Sequence, residues 1–359
     1  MVVYEDQYAW VKWGGARSSM FPIINGTRQG SILSPALFAV YVDELLQELR
    51  SLGVGCHLAA VFYGAVGFCD DILLLAPTRD AMEVMLATCE RFAARNNLQF
   101  STDPDPSKSK TKCIYVIGKR KNLAKPAPLT LYGKELPWVA SATHLGHDLH
   151  ETGTMDYDIR VKRAEFMSKS TEIRETFYFA SPVEVLRAVK VFAGDFYGAN
   201  LWQLSGSMAD QVFHAWNTCI KLAWQVPRGT HTYFLERLLD CGISHVRHDI
   251  LARYVTFFKS LRNSPSVEVS ILAHIVARDA RTTTGSNLQL IRELCGLDPW
   301  SCSSGKVKEV LGNRLVQVPT QDFWRLSYLG KLLEQRGESY YQMGDTSELT
   351  ELIDSICVN

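Results

Sequence analysis

No window of this chain approaches the roughly 18 consecutive apolar residues needed to cross a bilayer, and Glu5 and Asp6 stand where a secretory leader would need its apolar centre. The expectation is an intracellular protein, nuclear or cytoplasmic, with no membrane partner. A disulfide framework is missing as well. The nine cysteines, from Cys56 to Cys357, are odd in number and form no CxxC pair, which fits free thiols in a reducing compartment. Excess charge is absent: 38 Lys+Arg balance 38 Asp+Glu, so any contact with a polyanion must come from local clustering. Neither an internal repeat nor a low-complexity tract occurs. What remains is the composition of a globular chain, 47% hydrophobic and 21% charged, with 359 residues to fill two or three domains.

Residues 1–35 mix aromatic and β-branched residues with Gly14-Gly15, Pro22 and Asn25-Gly26, the pattern of short strands and a hairpin. The period then changes. Leu37, Phe38, Val40, Tyr41, Leu45, Leu46 and Leu49 follow helical spacing over 35–51, with Ser34 as N-cap and Pro35 in the first turn. Residues 58–76 hold two apolar runs split by Cys69-Asp70-Asp71, which predicts a β-hairpin with the acids at its turn. A helix over 78–97, capped by Thr78, comes next. Beyond a loop at 101–112, strands are expected at 113–118 and around LTLYG and LPWV. From about residue 156 the pattern is helical almost to the end.

Two segments carry chemistry. In GFCDDILLL, adjacent carboxylates interrupt apolar runs expected to be buried strands; burial of such a pair requires a cation, strong donors, or exposure at the turn. A divalent metal is one answer and a hydrophilic hairpin tip the other. In NGTRQGSILSPALF, Arg28, Gln29 and Gly30 lie on a glycine-flanked turn before a helix, where amides can face a phosphate; an ordinary capped loop reads the same way.

Together these segments resemble the palm of the non-LTR retrotransposon reverse transcriptases. That family has RQG..LSP..F before a helix, matched by Arg28-Gln29-Gly30, Leu33-Ser34-Pro35 and Phe38, then a [YF]xDD box, matched by Phe68-Cys69-Asp70-Asp71. An amphipathic helix and a lysine loop ahead of a strand follow, matched by Lys108, Lys110 and Lys112 before Cys113, and then a Leu-Gly-His turn, matched by HLGHDL at 144–149. VKRAEFMSK, YGANLW and QVPRGTH resemble more loosely the family's thumb and connection.

The resemblance implies RNA-directed DNA synthesis with Mg²⁺ (or Mn²⁺) on an RNA template, a DNA primer and dNTPs. Asp70 would be the catalytic metal ligand and Asp71 its partner, with Phe68 and Cys69 shaping the floor beneath the primer terminus. Gln29 and Gly30 would line the nucleotide and template site, and Arg28 would support that turn and face phosphate. Lys110, or Lys108 in the competing register, would sit near the triphosphate. Leu145 and Gly146 would grip the primer. The family's palm also has an upstream aspartate strand; this chain starts too late to contain it, and neither Asp6 nor Asp43 replaces it, so the isolated chain is expected to be inactive.

Lys108, Lys110, Lys112, Lys119, Arg120, Lys121 and Lys125 lie in 106–125 without an acid, a source of phosphate contacts or a solvated loop. Trp216, Trp224, Tyr233 and Tyr254, interleaved with basic residues, read as core. Zinc is disfavoured at His144, His147 and His150, whose three-residue step in a strand alternates faces, and at Cys241, His245 and His248, which lack a fourth ligand. The expected architecture is α+β: a partial palm of antiparallel sheet with packed helices over 1–150, a helical thumb- or connection-like region over 151–320, and an acidic helix or tail over 321–359. The competing function is a catalytically dead nucleic-acid-binding module or the product of a decayed element. An unrelated metal-dependent phosphotransferase would need a third carboxylate that the sequence does not offer.

Overall fold

A computed structural model of the chain describes residues 7–23, 26, 30–103, 105, 108–117, 124–225 and 243–314. They form two compact units. One holds the described residues up to Tyr115 and those running to Val139; the other holds Val116, Ile117 and everything described from Ala140 on.

The first unit is built on two amphipathic helices, α1 (Ser34–Ser51) and α2 (Arg79–Arg95). Their apolar stripes meet through Leu45 and Leu49 on one side and Met85, Cys89 and Phe92 on the other, all buried at helical spacing. Outside this seam, Arg95 pairs with Glu44 and Glu48, half-exposed contacts that add little. Thr78 caps α2 as expected, its hydroxyl accepting from the Ala81 amide (3.2 Å). Ser34 does not cap α1: Leu33 is already right-handed helical, so it takes the cap position without a side-chain bond and Ser34 is the first helical residue.

All described strand pairs are antiparallel and two-stranded. An N-terminal ribbon pairs β1 (Tyr8–Ala9) with β4 (Phe21–Pro22) and, inside it, β2 (Lys12–Trp13) with β3 (Ala16–Arg17). Next come β5 (His57–Leu58) with β6 (Val61–Phe62), and β7 (Ala65–Phe68) with β8 (Asp71–Leu74). The pair β9 (Leu129–Leu131) and β10 (Lys134–Leu136) closes on α2 through Leu86, Leu129, Leu131 and Leu136. Over its described part, 113–117, the strand expected at 113–118 is reduced to a single parallel bridge, Cys113 to Trp138. The Cys113 carbonyl accepts from the Val139 amide, whereas the Ile117 amide donates to Glu151, so the segment divides its backbone bonds between partners instead of running one ladder.

The second unit opens with β11 (Ser141–His144) paired to β12 (His147–His150) and continues through α3 (Asp156–Thr176), α4 (Pro182–Phe192), α5 (Ser207–Ala223), α6 (Val246–Arg262), α7 (Val267–Arg278), α8 (Thr283–Cys295) and α9 (Ser304–Arg314). A capping box starts α4, where Ser181 and Glu184 exchange bonds. Phe166, Trp202, Trp216, Tyr254 and Phe258 are fully buried at the centre of one large core, and Trp224 joins them, as the inward reading of the aromatics predicts; Tyr233 lies outside the described residues. Each such side chain contributes roughly 2–3 kcal/mol of burial. The mixture of helices and small antiparallel sheets is the α+β class expected. Among the described residues no helix is long and apolar enough to cross a membrane. Cys241, the second-half basic residues near Tyr233 and the acidic segment 321–359 lie outside the described residues.

Candidate active site

The β7–β8 hairpin places the two acids. Its register sets Ala65 opposite Leu74, Gly67 opposite Ile72, Val66 opposite Leu73 and Phe68 opposite Asp71. Because side chains alternate along a strand, Ala65, Ile72 and Leu74 turn to the α1–α2 core, and Val66, Phe68 and Asp71 share the other face. Gly67 is where the hairpin approaches α1: a Cβ there would sit 3.2 Å from the Leu46 side chain. Cys69 and Asp70 form the two-residue turn. Cys69 adopts a left-handed φ of 52°, as the first turn residue of a type II′ turn does, although glycine is usual there. Asp70 completes the turn and Asp71 opens β8. The strands flanking the acids are not buried as expected: Val66 is 50% and Phe68 62% exposed, and both carboxylates are exposed at the tip. Exposure therefore removes the desolvation penalty that burial would impose.

The adjacent carboxylates supply hard oxygen donors of the kind Mg²⁺ and Mn²⁺ take. Among the described residues no group of three or more His, Cys, Asp or Glu stands together to hold a metal. Arg28 and Gln29 lie outside the described residues. Gly30 is exposed, with a φ of 81° and open space around it, four residues before α1. In the lysine loop, the amides of Lys108 and Ser109 donate to the Asp105 carbonyl, and the Lys108 ammonium is 3.8 Å from the Asp105 carboxylate. Lys110 is exposed at the following bend.

Leu145 and Gly146 form the turn between β11 and β12 in the second unit, both with left-handed φ (49° and 78°), the type I′ pattern. His144 and His147 face each other across this pair, so the three-residue step spans a turn and puts them on the same face, not on opposite ones. His147 stacks on Tyr197 and His150 on Tyr157. His245 caps α6 by accepting from the Arg247 amide (3.0 Å) and meets Asn217 through Nε2 (3.0 Å). Burial, aided by neighbouring His248, Arg247 and Lys190, pushes His245 down to about 3; burial pushes His248 down to about 4. These imidazoles are neutral structural groups.

Residues 4–148 match the family model described as reverse transcriptase (RNA-dependent DNA polymerase). The chain is similar to the Pol polyprotein of the type-1 retrotransposable element R2 from Nasonia vitripennis, 32% identical over 124 residues, which is 34% of this chain and 11% of that protein. The corresponding polyprotein from Popillia japonica is 29% identical over 158 residues, 43% of this chain and 25% of that protein. That of the type-2 element R2DM from Drosophila melanogaster is 32% identical over 100 residues, 28% of this chain and 9% of that protein.

Residues 4–148 are thus a reverse-transcriptase segment, and the chain is similar to the R2 branch of the non-LTR elements. The chain's matches span from 9% to 25% of the length of these relatives. Within this reverse-transcriptase segment lie the β7–β8 hairpin, both helices of the first unit and the Leu145–Gly146 turn. Two features, one within this segment and one just beyond it, escape sequence reasoning. The Leu46–Gly67 approach carries no signal beyond a lone glycine in a strand, and the buried carboxylate of Asp158, which accepts from the Asp148 amide (3.1 Å), looks in sequence like an ordinary acid in a helix's first turn.

Proposed function

We propose that this chain supplies the catalytic carboxylate hairpin, the lysine loop and the primer-gripping turn of an RNA-directed DNA polymerase acting on an RNA template, a DNA primer and dNTPs. The observation that carries the proposal is the Asp70-Asp71 tip, exposed on the open face of a hairpin backed by α1, within a segment of the reverse-transcriptase family. Asp70 and Asp71 would hold Mg²⁺ or Mn²⁺. When bound, divalent metal activates the primer hydroxyl and neutralises the leaving pyrophosphate. Phe68 and Cys69 form the floor under the primer terminus, and Gln29 with Gly30 lines the incoming nucleotide while Arg28 faces phosphate. Lys110, with Lys108 as the other register, offsets triphosphate charge. Leu145 and Gly146 grip the primer, and the helical unit acts as the thumb.

A second reading is favoured by the carboxylates themselves: among the described residues only a pair is assembled, which points to a nucleic-acid-binding module without polymerase activity. Primer extension on an RNA template with Mg²⁺ or Mn²⁺ separates the two. The 359-residue chain alone is expected to give no extension. Joined to the preceding part of the Nasonia relative's reverse-transcriptase region, it is expected to extend primer, and Asp70→Ala to abolish that extension. Extension that survives Asp70→Ala would overturn the polymerase assignment, and a joined protein that binds duplex without extending it would favour the binding module.

A further inference from the structure

The hairpin carrying Leu145 and Gly146 is fastened by a run of buried polar contacts. Asp158, in the first turn of α3, has no exposed surface. One carboxylate oxygen accepts from the Asp148 amide of β12 (3.1 Å), and the other accepts from the indole N–H of Trp202 (2.7 Å). Trp202 is itself fully buried, and its carbonyl accepts from the Asn287 side-chain amide on α8 (2.8 Å). The Asn287 carbonyl oxygen then accepts from the Leu204 amide (2.7 Å). Steric contacts reinforce this chain. Tyr197 stacks on His147 at 5.2 Å, and a Cβ on Gly198 would lie 1.7 Å from the His147 ring, so any larger residue there must displace the imidazole.

A buried carboxylate is tolerated when both oxygens are satisfied, so these two donors are not interchangeable decoration. Their sources differ: one is the backbone of the gripping hairpin, the other an indole anchored to α8. We infer that Asp158 is a positioning residue, fixing the β11–β12 hairpin to α3 and α8 so that the Leu145–Gly146 turn offers a single geometry to the primer terminus. This rests on the reading of that turn as the primer grip.

The test uses the 359-residue chain with an RNA template annealed to a DNA primer whose 3′ nucleotide is photoreactive. Crosslinking to hairpin 141–150 and overall duplex affinity are measured separately. Asp158→Asn, which keeps the shape and one acceptor, and Trp202→Phe, which removes only the indole N–H and part of the ring, are expected to lower hairpin crosslinking about tenfold, the effect of one hydrogen bond to a carboxylate. Overall affinity, set by phosphate contacts along the duplex, is expected to change by less than about twofold. A general loss of structure would move both readouts together. If Asp158→Asn fails to melt cooperatively, Trp202→Phe and Gly198→Ala, which displaces His147, carry the test. A primer terminus that crosslinks away from the hairpin in the unaltered chain overturns the primer-grip reading and the inference with it. Hairpin crosslinking in the unaltered chain that persists in the variants overturns the inference alone.

Discussion

At the scale of single residues, Gly67 shows how closely the carboxylate hairpin is seated. With Leu46 3.2 Å from the position of an added Cβ, Gly67→Val must push the helix side chain or lift the strand. The expected cost is about 1–3 kcal/mol, typical of overpacking, read as a lower urea midpoint. Adding Leu46→Ala should return part of that loss. Strictly additive costs would show that the two side chains do not meet. The placement of Asp70 and Asp71 at a hairpin turn was legible in the sequence because a polar break between two apolar runs marks a turn. The left-handed Cys69 was not, since cysteine carries no turn signature, and the exposure of Phe68 was hidden by a hydrophobic pattern that normally signals burial.

At the scale of elements, the helices followed from their 3.6-residue spacing, and the Leu145-Gly146 turn from the family resemblance; the Tyr132-Gly133 turn, with both φ left-handed, lies within the strand pair expected around LTLYG and LPWV. Residues 113–118 were misjudged because an apolar run says nothing about how its amides and carbonyls are shared. The N-terminus of α6 makes a prediction about pH. Unfolded, His245 and His248 take up protons near pH 6.5; folded, burial delays protonation to about 3 and about 4. The unfolded chain therefore binds more protons as pH falls below 6.5, and stability drops through that window before levelling near the folded values. Between pH 7 and 5 the loss is expected to be on the order of 3 kcal/mol for the pair. Asp249 acts in a separate, more acidic range: burial raises its carboxyl, but Lys190 and Lys308 outweigh this and hold it below its usual 3.8. Chemical denaturation at both pH values tests the idea. His245→Asn with His248→Gln, keeping a capping side chain, should flatten the profile, and an unchanged slope would contradict it.

At the scale of the molecule, a net charge of zero leaves duplex binding to local basic segments. Binding of an RNA–DNA duplex is expected to weaken steeply from low to moderate salt, and Lys108→Ala with Lys110→Ala to make the dependence shallower. Fluorescence anisotropy across a salt series measures it, and affinity indifferent to salt would remove the basic surface from the proposed function. The contacts among Asp158, Trp202 and Asn287 were beyond sequence reading for a simple reason: partners 44 and 85 residues apart share no period. Those contacts also bear on where recombination could divide the chain. A crossover after His150 would part Asp148 from Asp158 and His147 from Gly198, leaving the hairpin grafted onto a foreign support. A crossover between Val139 and Ala140 would carry the hairpin with its anchors, so exchanged segments bounded there should keep the turn's native geometry while those bounded at 150 should not.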